Sequence, residues 1–387
     1  MKILLIAYGF PPASSSSTFR PMFFAKHLQE MGNTIFVLTI RAEDYLPGHP
    51  KDPDLLKKLD DHIMIFRGRV FRPKETLMIF RDRLFKKTAA VSQHKASSLP
   101  DSVSGKQGKK GWFQEIKNII TDCLSTPDQQ IGWLPSAVYK GIQIIKQQQI
   151  DIIYTTGGPW TSLLIGGILK KMTRTPVVMD FRDPWVANPS RASDSQLLQR
   201  VEPFLEKHVI AIADHIIANT EELRQDFLRR YSFLSKNRIT TIPNGFEEYI
   251  PSQQNLNFQL TLVHAGMLYF SRNPRYLLQA MINGVEKHHF PADQLQLFLL
   301  GGFDVSLNDP ELHSLLSHPC LQRIVKILPR VPYQEAIEYQ KRSDVLLLLQ
   351  PDFPLQIPRK LYEYIAFQKP LFAITNLQGA TANIIQN

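Results

Sequence analysis

A stretch in the second half of the chain carries residues suited to bind an anion. In HAGMLYFSRNP (264–274), Gly266 follows an apolar run that reads as a strand, and Arg272 and Asn273 directly precede a helix that opens with proline. A glycine lets the backbone of a turn come close to a ligand. A glycine turn followed by a fixed cation suits a diphosphate.

A second stretch of this kind lies about 90 residues further on. In IPRKLYEY (357–364), Lys360 lies in the first turn of a helix and Glu363 follows three residues later on the same face. We expect Lys360 to meet phosphate and Glu363 to accept hydrogen bonds from two neighbouring hydroxyls of a sugar. The alternative is a surface ion pair between Arg359 and Glu363, which contributes at most about 0.5 kcal/mol to stability.

The loop after the first strand is rich in small and polar residues, in LLIAYGFPPASSSSTFRP (4–21). Ser15 and Ser16 offer hydroxyl donors beside a helix start, and we expect Arg20, in the first turn of that helix, to reach an anion. The alternative is a surface turn without a ligand. The chain contains neither G-x-G-x-x-G nor a Walker pattern, so a dinucleotide or P-loop interpretation lacks its fingerprint.

Two further strand ends carry glycine or charge. In TTGGPW (155–160), Gly158 lies between a strand and a helix, and in VVMDFRDPW (177–185), Arg182 and Asp183 follow a strand directly. Charges at a strand end are costly unless they are paired or used. We expect this group to orient a substrate hydroxyl or to accept its proton. The alternatives are an internal Arg–Asp pair and a tight turn without a ligand.

Short apolar strands alternate with helical patterns, which is typical of parallel sheets covered on both faces. The polar, turn-rich segment 246–258 predicts a linker, after which the alternation restarts. Two such series predict two doubly wound α/β domains, over 1–245 and 259–387, which bind ligands at the carboxyl ends of their strands. The predicted strands are 2–8, 34–40, 63–66, 151–156, 176–180, 215–219, 239–242, 260–264, 295–300, 324–328, 344–349 and 370–374. The predicted helices are 18–31, 136–149, 161–172, 195–213, 220–231, 274–287, 309–318, 333–342 and 358–367.

The composition is that of an ordinary globular protein, with 43% hydrophobic and 21% charged residues among 387. No run of 18 apolar residues is present, and the apolar residues 3–7 are too few for a signal peptide, so we expect a cytoplasmic protein. Cys123 and Cys320 match no metal or redox spacing, and we expect two reduced thiols.

The net charge of +10 is concentrated in one segment. Between Arg67 and Lys117, 13 basic residues face four acidic ones, so the rest of the chain is nearly neutral, which argues against nucleic-acid binding by the whole protein. Within the insertion 68–134, residues 70–90 predict a basic amphipathic helix. We expect an anionic membrane surface as its partner, with an ordinary docked helix as the alternative, and a mobile loop after it.

Nine stretches of the chain form a pattern when they are taken in order. They are FPP…R…AKHLQEMGNTIFVLT (10–39), DIIYTTGGP (151–159), PVVMDFRDPW (176–185), ADHIIANTEEL (213–223), ITTIPNGFE (239–247), HAGMLYFSRNPRYLLQA (264–280), LQLFLLG (295–301), VPYQEAIEYQKRSDVLLLL (331–349) and IPRKLYEYIAFQKPLFAI (357–374). This pattern resembles GT-B glycosyltransferases of the family 4 type, found in bacterial surface-polysaccharide pathways. It covers nearly the whole chain outside 68–134.

The resemblance implies two Rossmann-like domains that face each other across a cleft, with a nucleotide-sugar donor held mainly by the second. It implies hexosyl transfer, with retention, to a glycan, lipid-linked or other acceptor. No metal is implied, and no cofactor besides the nucleotide-sugar co-substrate. The implied donor-side residues are Gly266, Arg272, Asn273, Lys360 and Glu363, the acceptor-side residues are Ser15, Ser16, Arg20, Gly158 and Arg182, and the catalytic residues are Arg272, Lys360 and Asp183.

Three departures from the family pattern qualify the resemblance. Serines replace the glycine pair of the first loop, and Leu355 replaces a second glutamate eight residues before Glu363, which leaves the donor sugar open. The sequence ends at Asn387, where relatives continue into a crossover helix, so we expect that helix to be missing and the C-terminal domain to be shortened. Two alternatives are a catalytically inactive GT-B scaffold that binds nucleotide or partner proteins, and a nucleotide-sugar epimerase on the same fold.

Overall fold

A computed structural model gives the fold of the chain and describes residues 1–72, 126–189, 196–246, 259–269, 271–304, 307 and 309–386. The predicted basic helix at 70–90, the mobile loop after it and the predicted linker at 246–258 lie almost entirely outside these ranges. No helix within them is both long enough and apolar enough to span a bilayer.

The first sheet has seven strands, in the order β3-β2-β1-β4-β5-β6-β7. The register of β1 against both β2 and β4 is parallel, as is that of β2–β3, β4–β5 and β5–β6. Runs such as TIFVLTI are buried over nearly their whole length, as expected for strands covered on both faces. The strands are β1 (Lys2–Ile6), β2 (Thr34–Ile40), β3 (Met64–Gly68), β4 (Ile152–Gly157), β5 (Val177–Phe181), β6 (His215–Ala218) and β7 (Ile239–Thr241).

Each helix of the first unit lies between two consecutive strands, as expected for a doubly wound domain. The helices are α1 (Ser16–Glu30), α2 (Leu134–Gln148), α3 (Thr161–Thr173), α4 (Gln196–Ile212) and α5 (Glu221–Arg230). One face of the sheet packs on α1 through a cluster that includes Leu5, Val37, Phe19 and Met22. Burial of this apolar surface, rather than helix propensity, holds α1 in place.

The second sheet has five strands, in the order β10-β9-β8-β11-β12, and all four neighbouring pairs are parallel. Its core is rich in leucine, with Leu297, Leu299, Leu347 and Leu349 among the buried residues. The strands are β8 (Leu260–Ala265), β9 (Leu295–Leu300), β10 (Val325–Leu328), β11 (Val345–Gln350) and β12 (Leu371–Thr375). The helices are α6 (Arg275–Glu286), α7 (Pro310–Leu316), α8 (Pro319–Ile324), α9 (Tyr333–Arg342), α10 (Arg359–Ala366) and α11 (Ala380–Gln386).

The chain divides into two compact units, each built around one of the sheets. Both strand orders are those of Rossmann-like domains, which confirms the predicted α/β class with two doubly wound domains. Residues 219–227 group with the second unit, where Thr220 Oγ1 donates to the Leu355 carbonyl (2.8 Å). The strand order reverses at β1/β4 in the first sheet and at β8/β11 in the second. Ligands of such sheets bind outside the carboxyl ends of the strands at these points.

Candidate functional site

The turn after β8 depends on a glycine beside a cation. Gly266 has φ +125°, in the region that favours glycine. A Cβ at this position would lie 2.9 Å from Lys360 Nζ, on the first turn of α10. Gly266 therefore gives Lys360 the space to reach the carboxyl edge of β8.

Arg272 is held at the same edge by an amide and two aromatic rings. Its Nη2 donates to Gln350 Oε1 (2.6 Å), and its guanidinium carbon lies 4.4 Å from the ring centroid of Tyr269 and 5.6 Å from that of Phe353. Gln350 is the last residue of β11, the neighbour of β8. The contact thus joins the loop after β8 to the end of β11.

The side chain of Lys360 lies within hydrogen-bond distance of a buried histidine. Lys360 Nζ lies 3.2 Å from His264 Nε2, and His264 Nδ1 lies 3.0 Å from the Leu347 carbonyl oxygen. Because a carbonyl only accepts, Nδ1 carries the proton and donates, so Nε2 accepts from Lys360. Burial, with the charges of Lys360 and Arg272, holds the pKa of His264 well below its ordinary value, so the imidazole is neutral.

The ammonium of Lys360 is destabilised by its surroundings in the free protein. Burial, and next the nearby charge of Arg272, lower the pKa of Lys360 to about 7. Two cations are thus close enough to repel each other at the carboxyl ends of β8 and β11. A ligand with two or more negative charges relieves that repulsion and stabilises both of them.

Two other predicted donor-side residues already have partners within the protein. Asn273 Nδ2 donates to Asp309 (2.6 Å), and Asn273 Oδ1 accepts from the backbone N–H of Arg275 (2.9 Å), so the amide supports the start of α6. Glu363 forms the ion pair with Arg359 that the spacing offered as an alternative (2.6 Å), and lies 3.4 Å from the Tyr333 hydroxyl. Contact of Asn273 and Glu363 with a donor stays a prediction.

In the first unit, Arg20 does not lie open to an anion, and that expectation is corrected. Its Nε and Nη2 donate to the two carboxylate oxygens of Asp180 at 2.9 and 2.8 Å, and both side chains are buried. Asp180 also accepts from the hydroxyls of Tyr154 and Thr156, each at 2.8 Å. The carboxylate neutralises Arg20, and the network ties α1 to β4 and β5.

Arg182 and Asp183 form the internal pair that was the alternative interpretation of their motif. Arg182 Nε lies 3.3 Å from Asp183 Oδ2, and Arg182 Nη2 donates to the Gly158 carbonyl (2.5 Å). Gly158 has φ +86°, and a Cβ there would meet Arg182 Nη2. The structure thus brings Gly158, Arg182 and Asp183 together at the ends of β4 and β5, and 33% of the Asp183 side chain remains exposed.

The serine loop packs on itself at the start of α1. Ser15 and Ser17 share a hydrogen bond between their hydroxyls (2.7 Å), while Ser16 is exposed. A Cβ on Gly9 would come within 2.4 Å of Ser17 Oγ, so the loop lies tightly against the helix start. The exposed hydroxyl of Ser16 can therefore contact a ligand at this edge, whereas the close packing of Gly9 against Ser17 restricts the backbone of the loop.

Asp128 is a residue that sequence reasoning missed. Its two carboxylate oxygens accept from the backbone N–H and the hydroxyl of Thr161, at 2.9 and 2.6 Å, where α3 begins. A carboxylate here both caps the helix and offsets the positive end of its dipole. No local signal exists for this cap, because the two residues are 33 positions apart.

No group of three or more His, Cys, Asp or Glu side chains that could hold a metal ion occurs within the described part of the chain. The described side chains at the carboxyl edge of the second sheet are instead the cations Arg272 and Lys360 with neutral hydrogen-bonding groups, and the carboxylate of Glu363 lies near Lys360. Such a set suits the phosphates of a nucleotide better than a cation.

Two doubly wound α/β domains are the GT-B fold that the resemblance stated from the sequence implied. The model of Glycosyltransferase Family 4 matches residues 114–248, which is less than half of the chain. A search of curated protein sequences found no match.

Several solved GT-B structures are similar in fold. Sucrose-phosphate synthase from Thermosynechococcus elongatus superposes with a TM-score of 0.60 at 16% identity, over 97% of this chain and 82% of that one. HepE from Anabaena, in complex with UDP, has a TM-score of 0.58 at 15% identity, over 100% and 89%. TarM from S. aureus, with UDP and a GlcNAc-glycerol, has a TM-score of 0.53 at 10% identity, over 96% and 85%. At these identities the likeness extends to the fold alone.

We expect the affinity of this edge for a nucleoside diphosphate to weaken as the pH rises through about 7. Lys360 has a pKa of about 7 in the free protein, so it is an ammonium below that pH and an uncharged amine above it. The dissociation constant, measured by titration calorimetry, should rise by up to about tenfold per pH unit above 7. The rise stops at the higher pKa that Lys360 acquires beside the bound diphosphate.

The matched control for this pH dependence is Lys360→Arg. An arginine stays charged throughout the range, so its profile between pH 6.5 and 8.5 should be nearly flat. Equal UDP affinity of the wild-type protein at pH 6.5 and 8.5 would contradict the role given to Lys360.

Loss of the buried carboxylate beneath the first loop should destabilise the first unit strongly. Asp180→Ala leaves the buried guanidinium of Arg20 uncompensated, which costs about 3–5 kcal/mol in the free energy of unfolding. Urea denaturation measures this loss. Glu338→Ala breaks an exposed pair with Lys341 and should cost less than about 1 kcal/mol. Similar losses in the two variants would show that the buried network does not hold the unit together.

Proposed function

We propose that the protein is a hexosyltransferase that moves a sugar from a nucleotide-sugar donor to a glycan or lipid-linked acceptor in cell-surface polysaccharide biosynthesis. The observation that carries this proposal is the convergence of Gly266, Arg272 and Lys360 at the carboxyl ends of β8 and β11. This is the point of the second sheet where a Rossmann-like domain receives phosphates.

These two cations are suited to stabilise the leaving group of the reaction. Cleavage of the bond between a sugar and a diphosphate develops negative charge on the departing phosphate. A single cation at about 4 Å contributes roughly 4 kcal/mol of attraction at an effective dielectric constant of about 20. Arg272 and Lys360 together supply this charge without a metal ion in the proposed reaction, which proceeds with retention at the anomeric carbon.

The ribose and the sugar acceptor would meet other residues. Glu363 lies one turn after Arg359 on α10, and its second oxygen has no hydrogen-bond partner among the described residues, so it can accept from the ribose hydroxyls once the donor binds beside Lys360. In the first unit, the partly exposed carboxylate of Asp183 orients the acceptor hydroxyl or accepts its proton. Ser15, Ser16 and the Gly158 turn line the same edge for the acceptor.

The similar structures support UDP as the first nucleotide to test. HepE was solved with UDP and with UDP and glucose, and TarM with UDP and a GlcNAc-glycerol. In our proposal the donor of this chain is likewise a nucleoside diphosphate sugar. The reaction takes place in the cytoplasm at the inner face of the membrane, where lipid-linked acceptors are accessible.

Calorimetric titration with UDP, GDP and ADP tests donor binding, and release of free nucleotide from nucleotide sugars in the presence of membranes tests transfer. Binding followed by membrane-dependent release supports the proposal. Release without membranes points to hydrolysis, and conversion of the nucleotide sugar to its epimer without release points to epimerisation. Binding without release or conversion points to an inactive scaffold.

Removal of either cation should slow transfer and leave folding intact. Arg272→Ala or Lys360→Ala is expected to lower turnover by about 100-fold or more, because each removes one of the charges opposite the leaving diphosphate. Initial rates of nucleotide release measure the loss, with thermal melts to confirm folding.

The control for this pair is Arg275→Ala, three residues from Arg272 in the same unit. Arg275 forms an ion pair with Glu311 at the protein surface and should be replaceable with little change in rate. An Arg272→Ala or Lys360→Ala variant with wild-type turnover would falsify the role of that residue.

A further inference from the structure

The pairing between the two central strands of the second sheet ends before either strand does. The register of β8 with β11 ends at Val263 and Leu346. In contrast, β8 continues beside β9 as far as Ala265, and β11 continues beside β12 as far as Gln350. The two strands therefore separate at their carboxyl ends, which is the point where the strand order of this sheet reverses.

The side chain of His264 joins the two strands beyond this point. Its Nδ1 donates to the Leu347 carbonyl of β11 (3.0 Å), and the neighbouring N–H of Ala265 donates to the Tyr364 hydroxyl (3.0 Å). Its Nε2 accepts from Lys360 Nζ (3.2 Å). The imidazole is fully buried (0% exposed), whereas Lys360 is half-buried. The ring is thus shielded from solvent, but its second nitrogen contacts a side chain that can reach a ligand.

We infer that His264 is a positioning residue, whose ring is fixed by the Leu347 carbonyl and holds Lys360 Nζ beside the Gly266 turn, where the diphosphate of the proposed donor binds. This inference rests on the proposed function and adds the group that orients one of its two cations. A lysine side chain is long and flexible, so a lysine that is already oriented loses less conformational freedom when the ligand binds. Gly266 leaves the space for this orientation, since a Cβ there would lie 2.9 Å from Lys360 Nζ.

The imidazole must stay neutral to act in this way. A protonated ring would donate from both nitrogens and could accept nothing from Lys360. Burial, and next the charges of Lys360 and Arg272, hold the pKa of His264 well below its ordinary value, so the acceptor at Nε2 persists at neutral pH.

Two amide substitutions separate the two hydrogen bonds of His264. His264→Asn places an amide N–H at the position of Nδ1, which can still donate to Leu347, but the side chain is too short to reach Lys360. His264→Gln places an amide oxygen near the position of Nε2, where it can accept from Lys360, but it has no donor at the position of Nδ1. Orientation of Lys360 and mere joining of the strands therefore predict opposite rankings of the two variants.

The experiment compares UDP with uridine, which lacks the phosphates, in calorimetric titrations of the full chain. The titrations are made at about pH 6, below the pKa of Lys360 of about 7. We expect His264→Asn to weaken UDP binding by about tenfold and to leave uridine binding unchanged, whereas His264→Gln stays within about threefold of the wild-type affinity for UDP. Thermal melts confirm that each variant is folded.

A double-mutant cycle tests whether His264 acts through Lys360. Lys360→Met keeps most of the length of the side chain and removes its charge and its hydrogen-bond donors. In this background we expect His264→Asn to change UDP affinity by less than about twofold, because the interaction between the two residues is already lost. An equal loss in both backgrounds would mean that His264 acts on the fold alone, and it overturns the inference.

Each remaining outcome also decides the matter. Wild-type UDP affinity in His264→Asn, or a loss in folded His264→Gln as large as the one expected for His264→Asn, overturns the positioning role. If one variant fails to fold, the other decides by the same criterion. If neither folds, nitrogen-15 spectra of the wild-type chain decide, since a proton on Nε2 of the histidine that stays neutral at about pH 5 excludes the bond from Lys360, and a proton on Nδ1 supports it. Failure of the wild-type chain to bind UDP, GDP or ADP instead refutes the proposed function, so the two failures are distinguishable.

Discussion

The parallel pairing of β8 with β11 is the constraint on which the candidate donor site depends. Val345 and Leu346 align with Leu262 and Val263, which brings together strand ends that are far apart in the sequence. Because the two strands run parallel, the loop that carries Arg272 and the helix that carries Lys360 both follow strands that end at the same edge of the sheet. The charges that repel each other there are held by the leucine-rich core beneath them, whose burial offsets the electrostatic cost.

The two units use arginine in opposite ways. In the first unit the carboxylate of Asp180 neutralises the charge of Arg20, and its hydrogen bonds connect α1 to β4 and β5. In the second unit Arg272 and Lys360 meet neutral hydrogen-bond partners, an amide and an imidazole. Asp180 is a charged acceptor, whereas the Gln350 amide and the His264 imidazole are neutral ones.

Much of the fold could be predicted because its signals are local. Within the described residues, each predicted strand and helix is present to within two residues at either end, since apolar runs and helical spacing report burial directly. The predicted helix at 70–90 lies almost entirely outside those residues. The short helices α8 and α11 were not predicted. Partners close in the sequence, such as Arg182–Asp183 and Arg359–Glu363, were offered as alternatives. Distant partners could not be predicted, because Asp180 is 160 positions from Arg20 and Gln350 is 78 from Arg272. Composition at a strand end reveals that a charge is present, whereas only the tertiary fold decides whether it is neutralised.

The carboxylate of Asp128 at the start of α3 has a consequence for the chemical selectivity of the first unit. A helix end that already holds a negative group of the protein itself has little attraction left for a second anion. With Arg20 also neutralised, two of the features that could draw phosphate to this edge are saturated from within. Among the described residues of this edge, Ser16 is exposed and the Asp183 carboxylate is partly exposed. We therefore expect this edge to favour uncharged, hydroxyl-bearing molecules over anions.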